Sequence, residues 1–450
     1  MKQSKMKSFF VCFLGILAGA TFPGDARAEN AQTIPRGRFR LGLTYGMSNG
    51  ITDTFNSAGN RERVVGKYNV DLSSVNLSTY VPQVKELIDA LNATNLSYNP
   101  SHRQDPSHGI VSYDASLPRL GDALELGFLG VGGHASQQVY NFSLAHGVTD
   151  QLTVGILIPF IKTDVQIDAG VSGTNTASDI YQFFQSSGFS GLGPQGQNLA
   201  NTLQSLTVPN QTLASMLRSF GYSDVENFNA SGIGDVVLGT RYNYFNGDVT
   251  NVLPGHFINS FQLGIKAPTG RVYSPRQVTA IDFGQGAWDA TVAHLMNYTP
   301  SRFLTLETSF NYTYRFRGMK LKMIKQSADD LLPSIEENVN EKMGDKFWAQ
   351  LGGKLTFTDY LFLRSTYEWY WKGKNHYIGS QPGIDYSLIA ADTDTYLETL
   401  SAELTLSSIN AFLNYKFPLP GELVFTYYHP VRGRNTIIAP FATAELVLFF

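Results

Sequence analysis

The chain ends on Phe441-Ala-Thr-Ala-Glu-Leu-Val-Leu-Phe-Phe450. In an extended backbone successive side chains point to opposite sides, so Ala442, Ala444, Leu446, Leu448 and Phe450 share one face. Thr443, Glu445, Val447 and Phe449 share the other. An apolar face that recurs at every second position and stops on an aromatic fits a strand whose outer side meets lipid. It also fits the edge of a soluble sheet, and the rest of the sequence decides between the two.

At the other end, Lys2, Lys5 and Lys7 precede an apolar run from Phe9 to Ala20, followed by Ala26-Arg27-Ala28. A positive flank, an apolar run too short to span a bilayer and a small-residue cleavage motif form an export signal. Residues 1–28 are therefore expected to be a signal peptide and residues 29–450 the mature chain. The sole cysteine, Cys12, lies in that leader, which leaves no thiol for a disulfide or a Cys-ligated metal. The formal net charge is −3, and loss of the leader's cations makes it more acidic, so nucleic acid is not an expected partner. After the leader there is no apolar run of the length a membrane helix needs. The chain holds 23 Tyr, 30 Phe and 42 Gly, yet its mean hydropathy is −0.12. Alternation of polar and apolar residues reconciles the two.

That alternation is plainest from Arg302 to Phe316, where Leu304, Leu306, Phe310, Tyr312 and Tyr314 oppose Thr305, Glu307, Ser309, Asn311 and Arg315. Similar segments predict strands near residues 37–48, 60–72, 123–132, 135–147, 150–164, 231–246 and 256–267. Seven more fall near 286–298, 302–316, 345–357, 360–372, 398–417, 420–430 and 437–450. The expected fold is an all-β transmembrane protein, a closed antiparallel up-and-down outer-membrane β-barrel of about fourteen strands with helical loop insertions. Twelve remains open because the segment 60–72 is weak. An even count puts both termini on the periplasmic side with the short turns, and the long connections outside. The outward phase flips between Ser407 and Ile409, which requires a bulge or a turn; the even count favours the bulge. Val84, Leu87, Ile88 and Leu91 are spaced as on a helix, and parity places the insertion at 73–121 on the periplasmic side or in the lumen. Long extracellular loops are expected near 165–230, with short helices, and near 318–344, where Met319–Met343 reads as a charged helix.

Three stretches then carry a family resemblance. Tyr140 to Phe160, Gly232-Ile-Gly-Asp-Val-Val-Leu-Gly-Thr-Arg-Tyr242 and Leu263-Gly-Ile-Lys-Ala-Pro-Thr-Gly270 resemble the outer-membrane barrels associated with meta-pathway phenol degradation. Those barrels are distantly similar to the FadL-type transporters of hydrophobic compounds, and the C-terminal strand resembles an outer-membrane recognition strand ending at Phe450. The resemblance implies a Gram-negative outer membrane and contact with its lipid and lipopolysaccharide. It also implies recognition of Phe450 by the barrel-assembly machinery, and passive passage of small hydrophobic or aromatic solutes. No cofactor is needed for that. The departures are the long insertion at 165–230 and Ala267, where Leu usually precedes Pro-Thr-Gly. On physical grounds the motifs read first as structural: Asp235 can bond backbone amides at a loop, and Pro268 to Gly270 end a strand.

Charges on the lipid face cost about 2–4 kcal/mol near the midplane. Energetics and phase therefore both turn Arg241, Lys266, Asp289, Glu307, Arg315, Lys354, Arg364, Glu368 and Glu403 inward, as candidate lumen-lining residues. Their mixed signs suit an ion-paired wall as well as a selective constriction. Rival functions are a structural or adhesive barrel and a lipid-hydrolysing one. For the last, Ser143 and His146 lie on opposite faces of one strand, His294 falls on an apolar phase, and no nucleophile elbow is present. His102, Asp105 and His108 sit too loosely for a metal site.

Overall fold

The computed structural model describes residues 31–64, 70–80, 82–102, 109–187, 189, 196–208, 217–218, 221–223, 226–245, 255–277, 279–326, 333 and 335–450. The expected leader, and Asp105 and His108, lie outside the described residues. The chain divides into two compact units. One comprises Met1–Val64, His134–Gln166 and Asn227–Phe450; the other comprises Val65–Gly133 and Ile167–Glu226.

Among the described residues of the sheet, twelve strands close a ring. They are β1 (Phe39–Ile51), β2 (Glu125–Gly147), β3 (Leu152–Ser172), β4 (Val236–Phe245), β5 (His256–Ala267) and β6 (Asp289–Ser301). After them come β7 (Leu304–Arg315), β8 (Lys346–Thr358), β9 (Leu361–Lys372), β10 (Thr395–Ser407), β11 (Gly421–Arg434) and β12 (Phe441–Phe449). Each pairs with the next in chain order, and β12 returns to β1 in an antiparallel register running from Arg40 opposite Phe449 to Met47 opposite Ala442. The closure is completed beyond the strand end. Phe39 N–H donates to Phe450 O at 2.7 Å and Phe450 N–H to Phe39 O at 3.1 Å, while the Phe39 ring stacks on Phe450 at 5.6 Å and on His146 at 4.3 Å.

The barrel thus has the lower of the two expected strand numbers, and two readings account for the difference. The described residues of 60–72 form no strand of the closed ring: Arg61–Arg63 joins Asp53–Phe55 and Thr436–Ile438 in a small separate sheet. Residues 123–132 and 135–147 are one strand of 23 residues. The Gly-rich stretch between them stays extended, and Gly132 passes close to the backbone of Asp168 on β3, where a Cβ would sit 3.5 Å from its carbonyl oxygen. Two further strands, Val70–Ser73 and Phe228–Ile233, pair with the overhanging ends of β2 and β3.

The phase flip after Ser407 is not a bulge. β10 ends there, and a short helix follows in the connection to β11. The described residues of 319–343 are not helical either: Arg317–Ile324 and Ile335–Lys342 form an antiparallel hairpin, extended by His376–Ile378. Pro333 would deprive a helix of one donor, and Met319, Leu321 and Met323 alternate with Lys320 and Lys322 as a strand requires.

The polarity of the ring is the reverse of a soluble sheet. On β5, Leu263 and Ile265 are 59% and 52% exposed, whereas Ser260 is 0% and Lys266 7% exposed. The same alternation runs along β7, where Phe310 and Tyr312 are exposed while Glu307 and Ser309 are buried. Such a surface is stable only against hydrocarbon.

The second unit has a conventional core. Helices α1 (Ser74–Tyr80), α2 (Pro82–Ala93), α3 (Thr176–Ser187) and α4 (Gly196–Leu206) bring Leu87, Leu91, Ile180, Phe184 and Leu203 together. Across the two inserted segments Tyr98 Oη donates to Asp179 Oδ2 at 2.7 Å, and Thr176 Oγ1 donates to Ala123 O at 2.8 Å. Segments that share one core lie on one side of a membrane. A periplasmic 73–121 beside an extracellular 165–230 does not fit that shared core; the parity count relied on a wall strand at 60–72 that the described residues of that stretch do not form.

In the 317–342 hairpin, Lys320 and Lys322 approach the Glu341 carboxylate at 3.3 and 3.8 Å. Burial pushes that carboxyl up, but the two ammonium groups and hydrogen bonds from Tyr377 and Lys320 outweigh it and hold it at about 2. A carboxyl whose folded value lies below its ordinary 4.5 contributes stability above that pH and loses it as pH falls toward about 2. Amide-exchange protection factors in the hairpin should therefore fall across that window in the wild type and fall less in Glu341→Gln, where Glu337, held low against its desolvation by hydrogen bonds from Ser380 and Tyr386, still titrates. Parallel profiles would contradict the linkage.

Candidate functional site in the barrel interior

Phase and pairing place the inward side chains in rows. At the end of the ring where long connections leave, Lys266 on β5 and Asp289 and Arg315 on β6 and β7 are all buried. Lys266 Nζ lies 2.8 Å from Asp289 Oδ2, 3.4 Å from Asp235 Oδ2 and 2.8 Å from Gln285 Oε1. Arg315 Nε lies 3.5 Å from Asp289 Oδ1, and its Nη2 also reaches Gln285 Oε1.

This cluster ties the connection at 268–288 to the wall. Asp235 accepts from Gly270 N–H at 3.0 Å and from Gln285 N–H at 2.9 Å, the backbone role its sequence suggested. Thr269 Oγ1 donates to Gly234 O at 2.8 Å and accepts from Val236 N–H at 2.9 Å. Gly270 and Gly284 touch, and a Cβ on Gly270 would sit 2.5 Å from Gly284 Cα, so neither position has room for a side chain. Phe283, from the same connection, packs at Gly232 and stacks edge-on with Tyr273, which meets Phe228 in the same way.

A second network spans β7 to β10. Arg364 lies directly across from Glu403 and reaches diagonally over the inward Gly352 to Glu307. The ion pairs measure 2.6 Å to Glu403 and 2.8 Å to Glu307. In the neighbouring row Ser309 Oγ donates to Gln350 Oε1, and Gln350 Nε2 donates to Glu368 Oε1, each at 3.0 Å. Lys354 stands 5.3 Å from the ring centre of Phe362. Across the closure, Arg40 pairs with Glu445 at 3.2 Å. Each cation so placed has a carboxylate or a ring within reach, and no single sign dominates.

At the end where the short turns lie, residues 31–34 run against the inward faces of the wall. Thr33 Oγ1 donates to Asp150 O at 2.6 Å, and Ile34 N–H donates to Thr153 Oγ1 at 2.8 Å. Arg241 Nη1 donates to Gln32 O at 3.3 Å while its Nη2 donates to Gln262 Oε1 at 2.9 Å. Ser260 Oγ donates to Ala31 O, and Ala31 packs with Ile258, Ala293 and Leu295.

The nine sequence candidates therefore separate into the Lys266, Asp289 and Arg315 cluster, the Glu307, Arg364 and Glu403 triad, and Arg241, Lys354 and Glu368 with individual partners. Sequence reasoning missed Gln285, Gln350 and the strap at 31–34. The two glutamines carry no charge to betray their direction, and the strap precedes any periodic segment. Arg40 was missed as well, although its alternation with Phe39 and Leu41 on the closing strand was the signal that could have found it. No group of three His, Cys, Asp or Glu suited to a metal occurs among the described residues. His146 and His294 point outward, the latter 2.8 Å from Tyr244 Oη.

No family model matches the chain, and no curated protein does. Among solved structures it is similar to an outer membrane channel from Pseudomonas putida F1, at 12% identity over 94% of this chain and 100% of that one, with a TM-score of 0.47. It is also similar to the translocator domain of the autotransporter NalP from Neisseria meningitidis, at 8% identity, 93% and 89% coverage and a TM-score of 0.34. The Ralstonia pickettii toluene transporter TbuX gives 12% identity, 92% and 90% coverage and a TM-score of 0.32. The barrel assignment rests on the strand pairing of this chain.

Removing one partner of a buried ionic group strands the others at a cost of about 3–5 kcal/mol. Arg364→Met leaves Glu307 and Glu403 facing each other, so urea unfolding from lipid vesicles, followed by tryptophan fluorescence, should show a loss of that order. Replacing all three by apolar residues of similar volume should recover most of it. A wild-type midpoint for Arg364→Met would show that the triad does not hold the wall.

Proposed function

We propose that this protein is a passive channel in the outer membrane of a Gram-negative bacterium for small hydrophobic or aromatic solutes. The observation that carries the reading is the inverted polarity of a closed ring, whose outside is apolar and exposed and whose inside is polar and paired. A wall with its charges neutralised offers no ring of one sign to select ions. The strap at residues 31–34 narrows the interior at the termini end, which disfavours a wide aqueous pore. The aromatic group of Phe228, Tyr273 and Phe283 at the other end suits first contact with an apolar solute. The sequence resemblance points to the same solute class.

In this reading the long connections of the ring face the exterior, and the termini and short turns face the periplasm. Lipid and lipopolysaccharide surround the exposed belt, and Phe450 is the group the assembly machinery recognises. The inward residues named above line the path and set its polarity. Transport by diffusion calls for no cofactor, and we assign no catalytic residues.

The test is purified protein in planar bilayers and in liposomes. We expect small conductance steps and entry of a monocyclic aromatic into loaded liposomes, and a larger conductance after deletion of residues 31–34. A correctly folded barrel that passes neither ions nor the aromatic, with or without the strap, would contradict the proposal.

A further inference from the structure

The connection from β10 to β11, residues 408–420, contributes no strand to the wall, and touches it only at its neck, where Pro420 O accepts from Phe449 N–H at 3.0 Å. It carries Phe412, Leu413, Tyr415, Phe417 and Leu419, all exposed, with Lys416 as its one charge. Tyr415 is 99% exposed. Large apolar groups gathered in this way on a short connection mark an interaction surface.

The exposure is built into the backbone. Ser408 clasps the neck of the connection, its N–H donating to Gly421 O at 2.8 Å and its hydroxyl to Leu419 O at 2.8 Å while accepting from Gly421 N–H at 2.9 Å. A single helical turn follows, α5 (Ile409–Leu413), with Phe412 N–H donating to Ser408 O at 2.8 Å. It is closed by Lys416 N–H donating to Ala411 O at 2.7 Å and by Tyr415 in the left-handed region at φ 56°. That conformation is unfavourable for a residue other than glycine, and here it turns an aromatic ring outward.

The exposed residues continue the lipid-facing belt, since Leu404 and Leu406 on β10 and Leu423 and Phe425 on β11 are exposed on the two strands that lead into it. We propose that residues 409–419 are a membrane-surface anchor, seated in the headgroup and upper acyl layer of the leaflet at the termini end, with phospholipid as the occupant. Leucine and phenylalanine side chains would enter the acyl layer, the Tyr415 ring would lie at the interface, and Lys416 would extend toward lipid phosphate. The inference rests on the membrane reading of the barrel, and the test separates the two.

The experiment places a nitroxide at Leu413→Cys, in a Cys12→Ser background of the full chain, reconstituted in phosphatidylethanolamine and phosphatidylglycerol vesicles. Leu263→Cys on the lipid face of β5 and Gln381→Cys in an exposed connection are measured beside it. The label at 413 should be relaxed by oxygen several-fold more than by a water-soluble nickel chelate, as at 263 and opposite to 381. Nickel-dominated relaxation at 413 with oxygen-dominated relaxation at 263 would overturn the anchor and leave the barrel reading intact. Nickel-dominated relaxation at both would overturn both. A label at 413 shielded from oxygen and nickel alike would mean that protein covers the surface, and would overturn the lipid assignment.

Discussion

In hydrocarbon a backbone N–H or C=O without a partner has no water to turn to, and each such group costs several kcal/mol. A sheet can live there only if its last strand finds its first. In this chain the condition is met by the pairing of residues 40–47 with residues 442–449, and by the reciprocal bonds between Phe39 and Phe450. Every other feature of the ring presupposes that seam. The Phe39, His146 and Phe450 stack covers it on the lipid side, and the Arg40 to Glu445 ion pair bridges it inside.

Closure fixes what the interior must do. Twelve strands leave a narrow bore, and inward side chains cannot be hydrated as freely as on an open surface. Each charge therefore needs a partner of its own. The pairing follows register: Arg364 meets Glu403 because they are directly opposed, and it meets Glu307 diagonally across β8. Near the long connections, Asp235 and Gln285 make the same kind of network fasten a loop. The interior is thus both wall and latch, and its neutrality shapes which solutes it suits.

Much of this was legible in the sequence. The period of two exposed the strands, the terminal aromatic marked the last of them, and in a closed barrel that strand returns to the first, near residues 37–48, as it does here. Inward charges followed from phase, because charge on the lipid face is so costly. The break expected between the strands at 123–132 and 135–147 is absent because the glycines there permit an extended strand as readily as a bend. The helix expected at 319–343 failed because the alternation of Met319, Leu321 and Met323 with Lys320 and Lys322 is too short to stand out among the charges, and Pro333 was the overlooked sign. The shared core of the two insertions was invisible, since Tyr98 and Asp179 are brought together only by the fold.

The seam is also where the account is most open to a direct test. Leu43 and Leu446 are directly opposed across it. Cysteines at these two positions, in a chain lacking Cys12, should form an intramolecular disulfide on mild oxidation of the folded protein in vesicles. A pair offset by two residues, Leu43→Cys with Leu448→Cys, should do so poorly, because their Cα atoms are too far apart for an unstrained bridge. Efficient bridging of the offset pair, or crosslinks that form only between molecules, would contradict a barrel closed by its first and last strands.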